Sequence, residues 1–257
     1  MISGAGYTDI GKNRRTNEDD FLVFNEKKIY VVCDGVGGQR DGAIASHMAA
    51  GAVRRYAQNF PPEDAKDDVE LKAYFDEAIS GINKIVYEAA TSHEGLNAMA
   101  TTMVLAYLRD NKAYVVNLGD SRAYLIRGSK VTQITEDHTY VNQLIREGSI
   151  TKEEAKNHPQ KHMITRALGA ERIAVPDCFT FETKPGDWII LCSDGMYNEI
   201  PTAEMARLAE VLQDPETLAK TLVSKANDAG GDDNITTVAI RIDDQPEPDS
   251  DDLYENR

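Results

Sequence analysis

Residues 29–39 read Ile29-Tyr30-Val31-Val32-Cys33-Asp34-Gly35-Val36-Gly37-Gly38-Gln39. An apolar run, Ile29 to Cys33, stops at Asp34, and glycines follow at 35, 37 and 38. A short apolar run bounded by turn residues predicts a buried strand. The glycines let the backbone turn sharply and come close to a ligand. A carboxylate at that junction is fixed by the strand and faces an open loop, which suits a metal ligand. Taken alone, Asp34-Gly35 also reads as an ordinary turn.

Repetition gives the stretch its weight. VVNLGD ends at Asp120, IILCSDG carries Asp194, and GGDDN carries Asp233 just before a strand-like run. A further acidic cluster, Asn17-Glu18-Asp19, lies directly before another strand. If these strands are neighbours, the carboxylates share one rim. Two unit charges about 4 Å apart repel by roughly 4 kcal/mol at an effective dielectric near 20. Such a rim must take up protons or bind cations, and Mg²⁺ or Mn²⁺ are the hard divalent ions that oxygen ligands favour.

Two such ions bridged by water form a hydrolytic device for oxyanion esters. They also reconcile an anionic substrate with a net charge of −15, because bound cations invert the local sign. A phosphate would still want a fork-shaped donor. Arg14, four residues before Glu18, is the candidate, with a solvated surface arginine as the alternative. Residue chemistry does not separate it from the adjacent Arg15. His47, His93, His138, His158 and His162 show no zinc spacing, and Pro159 interrupts the one i, i+4 pair.

Composition narrows the class further. The chain has 257 residues, 41% of them hydrophobic and 28% charged, which suits one large domain or two small ones. Its acidity argues against nucleic-acid and anionic-membrane partners. It has no apolar run of about 18 residues, so no membrane span is expected. Cys33, Cys178 and Cys192 are odd in number and widely spaced, which favours free thiols and a cytoplasmic location. There is no cysteine-phosphatase loop and no GxxxxGK[ST].

Along the chain, 2–9 and 20–33 read as strands with a turn at 25–28. Helices follow at 41–58 and about 68–92, the second with an apolar stripe through Leu71, Phe75, Ile79, Ile82 and Val86. Strands are expected at 100–108, 112–118, 122–127, 174–183, 187–193 and 234–242. A polar, broken segment at 136–168 reads as a surface insertion, with a short helix near 139–147. Helices are expected near 202–212 and 215–228. From residue 243 the composition turns acidic, with seven acids and two prolines in fifteen residues. That stretch is expected to be a disordered tail. The order is not the βαβα alternation of a parallel sheet; packed, mainly antiparallel sheets with helix pairs outside fit better.

The ordered motifs are Arg14-x-x-Asn17-Glu18-Asp19, Asp34-Gly35-Val36-Gly37-Gly38, Ala100-Thr101-Thr102, Gly119-Asp120-Ser121-Arg122, Ser193-Asp194-Gly195 and Asp233-Asn234. Together they resemble the metal-dependent protein serine/threonine phosphatases of the PPM, or type 2C, family, over residues 2–242. Compactness and Thr135-Glu136-Asp137-His138 look like the bacterial branch.

The resemblance implies an α+β fold, a four-layer αββα sandwich, as a phosphatase domain over 1–242. It implies hydrolysis of phosphoserine and phosphothreonine in proteins by a metal-activated water. Asp34 would bridge two Mn²⁺ or Mg²⁺ ions, the Gly35 carbonyl would bind the second, and Asp194 and Asp233 the first. Glu18, through metal-bound water, and Asp19 would act nearby. Arg14 would hold the substrate phosphate. Asp120 with Asp194 would form a third metal site, and 136–168 would be a mobile flap. Substrates would be phosphoproteins made by a serine/threonine kinase, and a monomer is the family default. The chain departs from animal members at Val36, which replaces a histidine proposed as general acid, and at Asn198, which replaces a third-site aspartate. A pseudophosphatase that binds phosphoproteins without turnover is the competing class.

Overall fold

A computed structural model describes residues 1–37, 41–92 and 99–244. Gly38, Gln39, His93 and the expected tail from 245 onward lie outside the described residues. The chain opens with β1 (Ile2–Asp9), β2 (Asp19–Phe24) and β3 (Ile29–Val36), followed by α1 (Asp41–Asn59) and α2 (Asp68–Ser92). Next come β4 (Ala100–Thr101), β5 (Met103–Arg109), β6 (Lys112–Leu118), β7 (Arg122–Arg127) and β8 (Lys130–Gln133). Two short helices, α3 (Tyr140–Arg146) and α4 (Lys152–Lys156), precede β9 (Asp177–Glu182) and β10 (Trp188–Cys192). The chain then adds α5 (Asp194–Tyr197), α6 (Thr202–Val211), α7 (Pro215–Ala229) and β11 (Ile235–Ile242).

These strands form two sheets. One has the order β1-β11-β10-β7-β8 and the other β2-β3-β5-β6-β9, with β4 on the far end of β3. The pairings within each sheet are antiparallel. Why the deciding stretch is apolar throughout is now visible. Successive strand residues face opposite sides of the sheet. Tyr30 and Val32 pack between the sheets with Val104, Leu191 and Val238. Val31 and Cys33 pack outward against Ala49, Val53 and Ile79 of α1 and α2. A strand covered on both faces has no reason to alternate with polar residues.

β10 repeats the logic in the other sheet. Ile189 and Leu191 face the inter-sheet core, while Ile190 and Cys192 face Leu208 and Leu222 of α6 and α7. The result is the expected α+β, four-layer αββα sandwich. All three cysteines are free, with Cys33 and Cys192 buried. Among the described residues, no helix is long and apolar enough to cross a membrane.

Some boundaries differ from the sequence reading. The strand expected from 174 begins at Asp177, because Pro176 has no N–H to give a ladder. The turn at 25–28 is a 3₁₀ turn, Asn25–Lys27, closed by Lys28 in the left-handed region at φ 52°. β8, α4 and α5 lie where the sequence pattern predicts no regular element.

Candidate active site

The antiparallel sheets bring the carboxylates to one end of the sandwich. In the β2–β3 register Asp19 lies opposite Asp34, and cross-strand partners share a face. That face is the inter-sheet one, because Asp34 keeps step with Tyr30 and Val32. In the other sheet β10 and β11 are antiparallel neighbours, with Cys192 opposite Thr237. The end of β10 therefore meets the start of β11, which places Asp194 beside Asp233. β7 lies on the other side of β10, with Arg122 opposite Cys192, and Asp120 sits two residues before it.

These positions line one cleft of about 810 Å³, with Arg14, Glu18, Asp34, Asp120, Asp194 and Asp233 on its walls and Gly35 at its edge. Asp19 is the exception: it is buried behind the cleft. Its Oδ2 accepts from Ser193 Oγ and from Thr236 Oγ1, both at 2.7 Å.

Close backbone approach shapes the wall. The Gly35 N–H donates to the Glu18 carbonyl at 3.0 Å. A Cβ on Gly35 would sit 2.2 Å from the Gly42 carbonyl oxygen and 2.6 Å from the Glu18 carbonyl oxygen. A Cβ on Gly42 would sit 2.3 Å from Glu18 Oε2. Only glycine fits at either place, so the start of α1 can abut the end of β3. The Asp34 backbone is held from both sides: its N–H donates to Thr102 Oγ1 at 2.9 Å, and its carbonyl accepts from the Thr102 N–H at 2.8 Å.

Electrostatics mark the cleft as unsatisfied. Burial pushes Asp19 up to about 7, although the Thr236 and Ser193 hydroxyls oppose it. Burial and the neighbouring Asp194 push Asp120 up to about 7. Burial and Asp233 push Asp194 up to about 6. Asp34 is only partly exposed at the cleft surface and is crowded by protein elsewhere. Desolvation, then Asp19, Asp194, Asp120 and Asp233, hold it well above the usual carboxylate range. Burial also raises Glu18, with Arg14 opposing. Asp19 Oδ1 and Asp194 Oδ1 are buried with no hydrogen-bond partner.

Buried carboxylate oxygens without donors, beside carboxylates that repel one another, fit divalent cations. Among the described residues, no three His, Cys, Asp or Glu side chains close into a cage of their own. The donor set is a looser one of carboxylates, backbone carbonyls and room for water, which suits ions that keep part of their hydration shell. One carboxylate is engaged elsewhere: Arg14 Nη2 donates to Asp233 Oδ2 at 2.6 Å.

Several motif residues act as positioning groups through contacts that the sequence does not disclose. Asn234 is buried and ties three segments together. Its Oδ1 accepts from the Glu18 N–H at 2.8 Å, and its Nδ2 donates to the Ile10 and Thr16 carbonyls at 2.9 and 3.0 Å. This pins both ends of the loop carrying Arg14. Asn234→Ala is expected to cost about 2–4 kcal/mol, because buried partners lose their bonds; urea denaturation measures it.

Arg122 forks onto Asp137 at 2.9 and 2.6 Å and lies 3.6 Å from the Tyr197 ring centroid, bracing α5 behind Asp194. His138 is buried; its Nδ1 accepts from the Gly119 N–H at 3.1 Å while Nε2 faces Asp177 Oδ2 at 3.0 Å. These contacts give Thr135-Glu136-Asp137-His138 a structural meaning: it braces the turn before Asp120. Lys161 and His162 also line the cleft, from an irregular segment whose sequence carries no periodic signal.

Comparison with known proteins agrees with this geometry. The family description "Protein phosphatase 2C" matches residues 6–225. The serine/threonine phosphatase stp of Listeria innocua is 39% identical over 240 residues, covering 91% of this chain and 93% of that protein. The solved serine/threonine phosphatase of S. agalactiae superposes with a TM-score of 0.85 at 29% identity, covering 95% of this chain and 100% of that one. The catalytic domain of the phosphatase PstP, solved with two manganese ions, gives a TM-score of 0.79 at 30% identity over 95% of this chain and 99% of its own. The chain therefore belongs to the protein phosphatase 2C family of serine/threonine phosphatases.

Proposed function

We propose that the chain hydrolyses phosphoserine and phosphothreonine esters in proteins, using Mn²⁺ or Mg²⁺. The observation that carries this reading is the convergence of Asp34, Asp120, Asp194 and Asp233 from two sheets onto one cleft. Asp34 would bridge two ions, with the Gly35 carbonyl on one and Asp194 and Asp233 on the other. Glu18 would contribute through water. The ions, when bound, lower the pKa of a coordinated water and neutralise charge on the phosphoryl oxygens.

The protein's own groups do the rest. Arg14 is half exposed at the cleft, and a guanidinium fork matches a phosphate. It exchanges Asp233 for the substrate. Asp19, behind the cleft, positions Ser193 and Thr236 and so fixes the strand ends that carry Asp194 and Asp233. Val36 is exposed at the cleft edge and has no proton to give, so the leaving oxygen takes its proton from another source. Asp120 with Asp194 would hold a third ion. Asn198 faces Asp194 Oδ2 with its Nδ2 at 3.4 Å, offering a donor where a carboxylate would add charge, which weakens that third site.

We assign the catalytic domain to 1–242, with 136–168 as its flap and the remainder as a tail without a catalytic role. Kinase-phosphorylated proteins are the substrates, and a cytoplasmic monomer is the working form. A phosphothreonine peptide should release phosphate with Mn²⁺ or Mg²⁺ and none in EDTA. Full activity in EDTA would refute the reading. Absence of turnover together with failure to bind Mn²⁺ in calorimetry would favour a phosphoprotein-binding module.

A further inference from the structure

A second cavity, of about 640 Å³, adjoins the cleft. It runs between the end of β8 and the helices α3 and α4. Asp120, Lys161, His162 and Asn198 line both cavities, so the two are continuous. Its charge is opposite to that of the chain. Arg146, Lys152, Lys156 and Lys161 line it, in a protein of net charge −15.

The acids on its walls are largely engaged. Asp137 is held by Arg122 through two bonds of 2.9 and 2.6 Å. Glu136 lies 3.8 Å from Arg146, a loose exposed pair. Asp120 belongs to the cleft end. Lys156 pairs with Glu153 at 2.9 Å on the exposed face of α4, and such a surface pair is worth little and is easily exchanged. Lys152 and Lys161 have no acidic partner among the described residues.

We infer that this groove is a second anion subsite, which receives a carboxylate or a second phosphate carried by the substrate chain beside the scissile phosphoresidue. The inference rests on the phosphatase reading above. The groove opens from the side of the cleft lined by Asp120, Lys161, His162 and Asn198, so a peptide held in the cleft by its phosphoresidue passes flanking residues along it. Lysines on flexible stems accept either anion without demanding a fixed geometry. In an otherwise acidic protein, this basic wall attracts anionic flanks that the remaining surface repels.

The test measures kcat/KM of the Mn²⁺-loaded full chain on phosphothreonine peptides at low salt. One peptide has neutral flanks, one series places Glu on either side at increasing offset, and one places a second phosphothreonine there. We expect at least one offset to gain about tenfold, the doubly phosphorylated peptide more than the Glu peptide, and the gain to shrink in 0.5 M NaCl. The ratio of anionic to neutral peptide should fall close to one in Lys152→Glu/Lys161→Glu and by a smaller factor in Lys152→Ala, each variant serving as its own reference. Lys220→Glu on α7, remote from the groove, should keep the wild-type ratio. Equal kcat/KM for all peptides, or a gain that survives in both groove variants, overturns the subsite while leaving the phosphatase reading intact. Failure to hydrolyse any peptide overturns both.

Discussion

Asp34→Asn is expected to lower Mn²⁺-dependent phosphate release by on the order of a thousandfold and, at the same time, to raise the thermal stability of the metal-free protein. The two effects have one cause. Asp34 is crowded by protein and faces Asp19, Asp194, Asp120 and Asp233, all of which disfavour its charge. Asn keeps the shape and removes that charge, so the strand end relaxes when no cation is present. About 1 kcal/mol moves Tm by roughly 2–4 °C in a chain of this size, so a rise of several degrees in EDTA is expected. The same substitution should abolish the Tm increase that Mn²⁺ gives the wild type, because ligand binding stabilises only a protein that binds it. Differential scanning fluorimetry with EDTA and with Mn²⁺, alongside the phosphate assay, reads all three. Lower metal-free stability in Asp34→Asn would show that the carboxylate makes a structural contact instead.

The second large effect is on pH dependence. Asp19 and Asp120 are raised to about 7 and Asp194 to about 6 in the folded protein, against about 3.9 in an unfolded chain. A raised folded-state value means the native state binds more protons than the unfolded state between those limits. Stability is therefore fully present below about pH 4 for these groups and is lost as pH rises through 6 to 7. Each carboxylate contributes a slope of up to about 1.4 kcal/mol per pH unit in that window. Metal-free protein should melt at a lower temperature at pH 7.5 than at pH 5. Mn²⁺ should reverse the trend, since its ligands must be deprotonated. A metal-free Tm that is flat or rising from pH 5 to 7.5 would contradict it.

Much of this was written in the sequence, and the missing parts have physical reasons. The apolar runs ending at Asp34 and Asp194 are legible because a strand covered on both faces must be apolar throughout. The stripe of α2 is legible because one helix face packs and the other does not. By contrast, β8 reads Lys-Val-Thr-Gln and is largely exposed at a sheet edge, so nothing in its pattern requires a strand. α4 has no apolar stripe; its one signal was the capping box of Thr151 and Glu154. α5 begins at Asp194-Gly195, which reads equally well as a turn. Asp19 and Glu18 are adjacent, but Asp19 opens β2 while Glu18 belongs to the loop before it. That one lines the cleft while the other is buried behind it follows from partners in a distant strand. Asn234 likewise acts on Ile10, Thr16 and Glu18, contacts that no local pattern announces. Lys161 and His162 come from an irregular segment, where only the fold decides what lies opposite.

The hydrogen bonds from Ser193 and Thr236 to Asp19 have a kinetic consequence. They join residues 174 and 217 positions apart in the chain, and they cross from one sheet to the other. Contacts of such separation form only after the intervening loops have been closed, which makes their formation slow. Neither sheet alone contains the cleft, so a half-folded molecule is inert rather than partly active. Asp233 lies just before β11, the last strand among the described residues, so a newly made chain cannot strip phosphates from its surroundings until that strand has docked.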